Sequence, residues 1–89
     1  MVEQEISYDA IVRAEVAIEL INQARAIVTA RVYELEERNP GAAEDLRRRR
    51  RDLIELQQSI RVADRDTVEN LIAVLGPRLK DEARFWAEF

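Results

Sequence analysis

The stretch VTARVYELEERNPGAAEDLRRRRRDL, residues 28–53, decides the fold. Asn39-Pro40-Gly41 sits at its middle, and no Gly or Pro precedes it anywhere in the chain. Proline pushes the residue before it out of the α region, so a first helix should stop near Arg38. Pro40 suits the first position of a second helix, with Asn39 as its cap and Glu44 and Asp45 near its positive end. A connection this short makes the two helices antiparallel.

Upstream of the turn, Ile11, Ala14, Ile18, Ile21, Val28, Val32 and Leu35 recur at 4-3 spacing, broken by Arg25. Ser7 can cap the start, Asp9 complements the helix dipole, and Ile6 and Ile11 are spaced as a hydrophobic staple. The pattern predicts a helix over about 7–38. Downstream, Ala42, Leu46, Arg49, Leu53, Leu56, Ile60 and Ala63 repeat the spacing and predict a helix over about 40–62. Folding at residue 40 sets Leu35 near Leu46, Val28 near Leu53 and Ile21 near Ile60. Arg25 and Arg49 each fall on a seam, where such a residue either fixes register or lays its stem along the core with its head in water. No acid lies directly across from either, which favours the second role.

After residue 61 the register slips. Val68, Leu71, Ile72 and Leu75 define a face rotated by about 80°. Asp66, three before Glu69, makes a capping-box-like start for a third helix over about 66–75. Gly76-Pro77 then reads as a stop and a restart, giving a fourth helix over about 78–88 with Leu79, Ala83 and Trp86 on one stripe. The expected fold is all-α and a single domain: a long antiparallel helical hairpin followed by two short helices.

The first helix is apolar over more than its seam. Val16, Leu20, Ala24 and Ile27 lie beside it and widen the apolar sector to about 200°, roughly twice what one partner helix covers. At about 48 Å the helix also exceeds the diameter of a compact chain this size. A homodimer, closing a coiled-coil-like four-helix bundle, would cover that surface, and Val16, Leu20, Ala24 and Ile27 are the expected interface.

Composition limits the chemistry. The 89 residues carry a net charge of −4 and contain neither Cys nor His. That removes disulfides, thiolate zinc sites, cysteine nucleophiles and the commonest general base. Ser7 and Ser59 have no triad partner, and two isolated glycine positions make no phosphate loop. Catalytic residues, metal ligands and cofactors are therefore expected to be absent. Met1 to Glu5 carry two acids and no base, unlike a signal peptide, and no run approaches the roughly 20 apolar residues of a membrane span. The expectation is a cytoplasmic protein with no membrane partner. Thirteen arginines against one lysine read as the codon usage of a GC-rich, bacterial-type genome.

Arg47 to Arg51 are five consecutive arginines, and clustered guanidinium groups bind nucleic-acid phosphates. Consecutive helical residues, however, spread around the axis. The Glu44–Arg48, Asp45–Arg49, Arg48–Asp52 and Arg51–Glu55 spacings also offer local neutralisation. Residues 41–62 hold six bases against four acids, a weak basic excess in an acidic chain.

Glu34-x-x-Glu37 followed by Asp52-x-x-Glu55 resembles the acidic helical pairs of all-α nucleotide pyrophosphatases. The resemblance implies a magnesium-dependent nucleotide hydrolase. Magnesium needs oxygens that converge from neighbouring helices, whereas the hairpin alignment sets these two pairs apart. Glu15 and Glu19, one turn apart, read as solvated acids. Phe85, Trp86 and Phe89 place three of five aromatics in the last five residues, either as anchors for a partner or as a plug at the open end of the hairpin. A small domain needs its large side chains inside, which favours the plug.

The function expected from all this is a non-catalytic interaction or regulatory protein acting through protein–protein contacts as a homodimer. The alternative is a dimeric nucleic-acid-binding regulator using Arg38, Arg47, Arg48, Arg50 and Arg51. A second alternative is the all-α nucleotide hydrolase.

Overall fold

A computed structural model describes residues 7–89, and among these there are four helices and no strand. They are α1 (Tyr8–Leu35), α2 (Pro40–Gln58), α3 (Arg65–Leu79) and α4 (Glu82–Glu88). The readings of Met1 to Glu5 and of the Ile6 staple lie outside the described residues. Ser7 starts α1 as its sequence position implies, its Oγ accepting from the Ala10 amide at 3.1 Å. Residues 36–38 form a turn, and the Asn39 amide closes the helix end on the Leu35 carbonyl at 2.7 Å. Asn39 then caps α2, accepting from the Ala42 amide at 3.2 Å, with Pro40 in the first turn.

The described chain divides into two compact units. One comprises the residues up to Leu20 together with Ile60–Phe89, the other Ile21–Ser59. The second unit is the hairpin. Its polar ties are Arg47 Nη2 to Glu36 at 3.0 Å, Arg50 Nη1 to Thr29 at 2.9 Å, Arg25 Nη1 to Gln57 at 2.8 Å and Gln57 Nε2 to Asn22 at 2.8 Å. Each lies within two positions of the antiparallel alignment expected from a fold at residue 40.

The buried stripe of α1 differs from the expected seam by one residue. Ala14, Ala17, Ile21, Ala24, Val28 and Val32 are buried, while Ile18 and Arg25 are only half-buried. On α2 the buried residue is Ala43, Arg50 is half-buried, and Arg49 is exposed. The small rotation has a clear cause. It keeps every charged group out of the buried set, places alanine where Arg25 would otherwise sit, and lets Arg25 bond Gln57 at the seam's edge.

In the first unit, Ala14 and Ala17 of α1 pack with Val68 of α3, joined by the half-buried Ile60, Val62, Leu71 and Ile72. Leu75 and Phe85 are also buried there. Arg13 and Glu69 link α1 to α3 by two hydrogen bonds, Nε to Oε2 at 2.8 Å and Nη2 to Oε1 at 2.7 Å. Arg65 adds a contact to Asp9 at 3.1 Å.

The first helix ends at Leu35, three residues short of the expected Arg38, and the later boundaries depart as well. The second helix ends at Gln58, where Ser59 folds its hydroxyl back onto the Leu56 carbonyl at 2.7 Å and replaces a helical bond. The third starts one residue earlier than expected because its cap is Asp64, not Asp66. Asp64 accepts from the Thr67 amide at 3.2 Å and the Thr67 hydroxyl at 2.7 Å. These bonds hold the Asp64 carboxyl below the usual carboxylate range, the hydroxyl bond contributing most. Finally, α3 runs through Gly76 and Pro77 to Leu79. Proline disfavours a helical predecessor partly by clashing with its Cβ, and Gly76 has none. The break comes at Asp81, which caps α4 by accepting from the Arg84 amide at 3.4 Å.

Candidate functional site

The α1 helix is where apolar surface remains outside the buried stripe. In the first unit, Val12, Val16 and Leu20 recur every four residues and therefore share one side of α1. Val12 and Leu20 are half-buried, and Val16 is 36% exposed. In the second unit Ile27 is half-buried. Ala24 is different: it is fully buried within its own chain and has no surface to offer another. Val12 belongs with the expected residues, and its i,i+4 spacing to Val16 was the available signal.

Glu15 and Glu19, beside this side of α1, are exposed. The opposite neighbour, Arg13, is held by Glu69. That pairing lowers the Glu69 pKa, chiefly through the hydrogen bonds from Arg13, and raises that of Arg13.

The arginine run is largely occupied. Arg47 bonds both Glu36 at 3.0 Å and Glu44 at 3.2 Å, Arg48 pairs with Asp45, and Arg51 reaches Glu44 at 3.8 Å. Arg50 turns instead to Thr29. Arg38 donates to the Glu34 carbonyl at 3.1 Å, at the end of α1. Arg47–Glu44 and Arg48–Asp45 form at i,i+3. These acids offset much of the run's positive charge, although each guanidinium keeps further N–H donors.

The four acids of the magnesium pattern do not gather. Glu34 pairs with Arg31 at 3.1 Å, Glu37 lies in the turn after α1, and Asp52 and Glu55 stand among Arg48, Arg49 and Arg51. Among the described residues no group of three or more acids is placed to hold a metal ion. These residues do not fit a magnesium site.

The aromatic tail divides into core and surface. Phe85 is buried, whereas Trp86 and Phe89 are half-buried and Ala83 is exposed, so the expected Leu79/Ala83/Trp86 stripe is replaced by Phe85. Phe85 stacks on Phe89 with ring centres 5.0 Å apart and meets Trp86 edge-on at 5.2 Å. Trp86 Nε1 donates to Glu82 at 3.3 Å. Glu88 takes Arg78 at 2.7 Å and Arg84 at 3.2 Å, and its pKa is lowered, first by the bond from Arg84.

Among the described residues no helix is long and apolar enough to cross a membrane. No protein-family model, no curated protein and no solved structure matches this chain.

Proposed function

We propose that this protein is a non-catalytic helical interaction module that works through protein–protein contacts and self-associates as a homodimer. The observation that supports this most directly is Val16. It is a β-branched aliphatic residue, 36% exposed, between Val12 and Leu20 on one side of a 28-residue helix. Apolar area of this kind gains about 25 cal/mol per Å² when it is removed from water. A second copy supplies an identical surface, and a two-fold contact needs only self-complementarity.

Sedimentation equilibrium at micromolar concentration tests the reading. The expected mass is twice 10.4 kDa. Val16→Glu places a charge in that contact and raises the dissociation constant at least about tenfold, with helicity unchanged because the site is exposed in one chain. A wild-type protein that stays monomeric through the concentration range overturns the proposal.

A further inference from the structure

The α1 helix is one continuous element, Tyr8–Leu35, and it carries a second 4-3 stripe besides the buried one. Val12, Val16, Glu19, Gln23, Ala26 and Ala30 recur at that spacing and share one side of the helix. This side lies nearly opposite the buried Ala17, Ile21, Ala24 and Val28. Val12 is half-buried, and the other five are exposed in the single chain.

The two ends of the stripe differ in size and charge. Toward the N-terminus stand two valines, with Glu19 next in line and Glu15 at the flank. Toward the C-terminus stand two alanines, which line a shallow groove of about 560 Å³. Arg25 is the one charged residue in that lining, and its hydrogen bonds go to Asn22 and Gln57, both neutral. One end is therefore raised and acidic, the other recessed and without an acid in its groove.

We propose that the occupant of this surface is a second copy of the chain with its α1 antiparallel, the two-fold axis passing level with Ile21. The inference rests on the self-association proposed above and gives it a direction and a register. Val12 then meets the partner's Ala30, Val16 the partner's Ala26, and Glu19 the partner's Gln23. Each large side chain faces a small one, and the alanines let the helix axes approach to about 8 Å. Each Glu19 carboxylate accepts from a Gln23 amide, twice over by symmetry. Glu15 comes level with the groove that holds Arg25, and not with another acid.

Other arrangements lose this complementarity. A parallel pair sets Glu19 against Glu19 and leaves alanine facing alanine. Sliding the antiparallel pair by one heptad puts Glu19 against Val16 or Ala30, where its carboxylate finds no donor.

The test uses the full chain, which has no cysteine of its own. Val16→Cys and Ala26→Cys, both at exposed positions, are mixed in a glutathione redox buffer at a concentration where sedimentation shows a dimer. The antiparallel contact joins position 16 of one copy to position 26 of the other. Like positions then stand at least about 15 Å apart, beyond the roughly 4.4–6.8 Å between α-carbons that a disulfide spans. Read by mass, the mixed disulfide should exceed either like-with-like product at least about tenfold. Gln23→Lys, facing Glu19 across the contact, should tighten dimerisation at least about threefold, an effect that salt removes. Like-with-like disulfides, a statistical mixture, or no tightening by Gln23→Lys would each overturn the antiparallel pairing while leaving self-association standing. A wild-type chain that stays monomeric overturns self-association itself, and the pairing with it.

Discussion

Arg13 and Glu69, fifty-six residues apart in sequence, meet through a planar two-bond fork that fastens the start of α1 to α3. The fork gives stability a direction in pH. Hydrogen bonds from Arg13 lower the folded pKa of Glu69 below its unfolded value. Between those two values the unfolded chain binds more protons, so stability rises with pH there and is lost as pH falls from about 5 through the folded pKa. Urea unfolding from pH 6 to pH 3 should show this decline. Glu69→Gln should flatten it, leaving the parts due to Asp64 and Glu88, whose pKa values are lowered in the same sense. An unchanged acid slope in Glu69→Gln would contradict the assignment.

Phe85 is the largest fully buried side chain. Truncating it to alanine should cost about 3–5 kcal/mol, a large part of the stability of a small domain. The exposed Tyr33 provides the contrast, with Tyr33→Ala expected to stay within about 0.5 kcal/mol. Urea midpoints of the two variants decide the matter, and similar losses would mean that the tail is not core.

The one-residue rotation of the α1 seam has an opposite-sign test. Ala24 is fully buried, so Ala24→Leu overpacks the hairpin and should cost about 1–3 kcal/mol. Were the seam at Ile18 and Arg25, Ala24→Leu would lie at its flank and be nearly neutral.

Pro77 sits inside α3 and withholds an amide from the Ala73 carbonyl, which is on an exposed residue. Pro77→Ala restores that bond. The gain is reduced by the extra freedom of the unfolded chain, and the net stabilisation should be about 1–2 kcal/mol. A thermal midpoint that falls would show that the proline is required where it stands.

The engagement of Arg47, Arg48, Arg50 and Arg51 with Glu36, Glu44, Asp45 and Thr29 predicts poor phosphate binding. Generic duplex DNA at low salt should give no saturable binding. Micromolar affinity that falls steeply with salt and disappears when the four arginines become glutamine would restore the nucleic-acid reading.

Features set by neighbours in sequence were the legible ones. Asn39, Pro40 and Ser7 act on amides three residues away or less, and the hairpin and the start of α1 follow directly. Position 25 was ambiguous because a 4-3 stripe through Ile18 and one through Ala17 have the same period. Hydropathy favours Ile18, and only the exclusion of Arg25 from the buried set selects Ala17 and Ala24. Gly76-Pro77 misled for a related reason, since the usual penalty on the residue before proline depends partly on a side chain that glycine lacks. Arg13–Glu69 and Arg25–Gln57 depend on pairing across distant segments, and no periodicity announces them.

The division of the chain also sets an order of assembly. Ile21–Ser59 is a continuous stretch, whereas Ala14 and Ala17 find their cover only in residues 60–72. During synthesis the hairpin can close while the last third of the chain is still unmade. The N-terminal turns of α1 must wait for α3 to emerge, because closing longer loops comes later and more slowly. A chain stopped at Ser59 would therefore retain the hairpin's ties but leave two alanines of α1 facing water. The last thirty residues complete a core that the first twenty began.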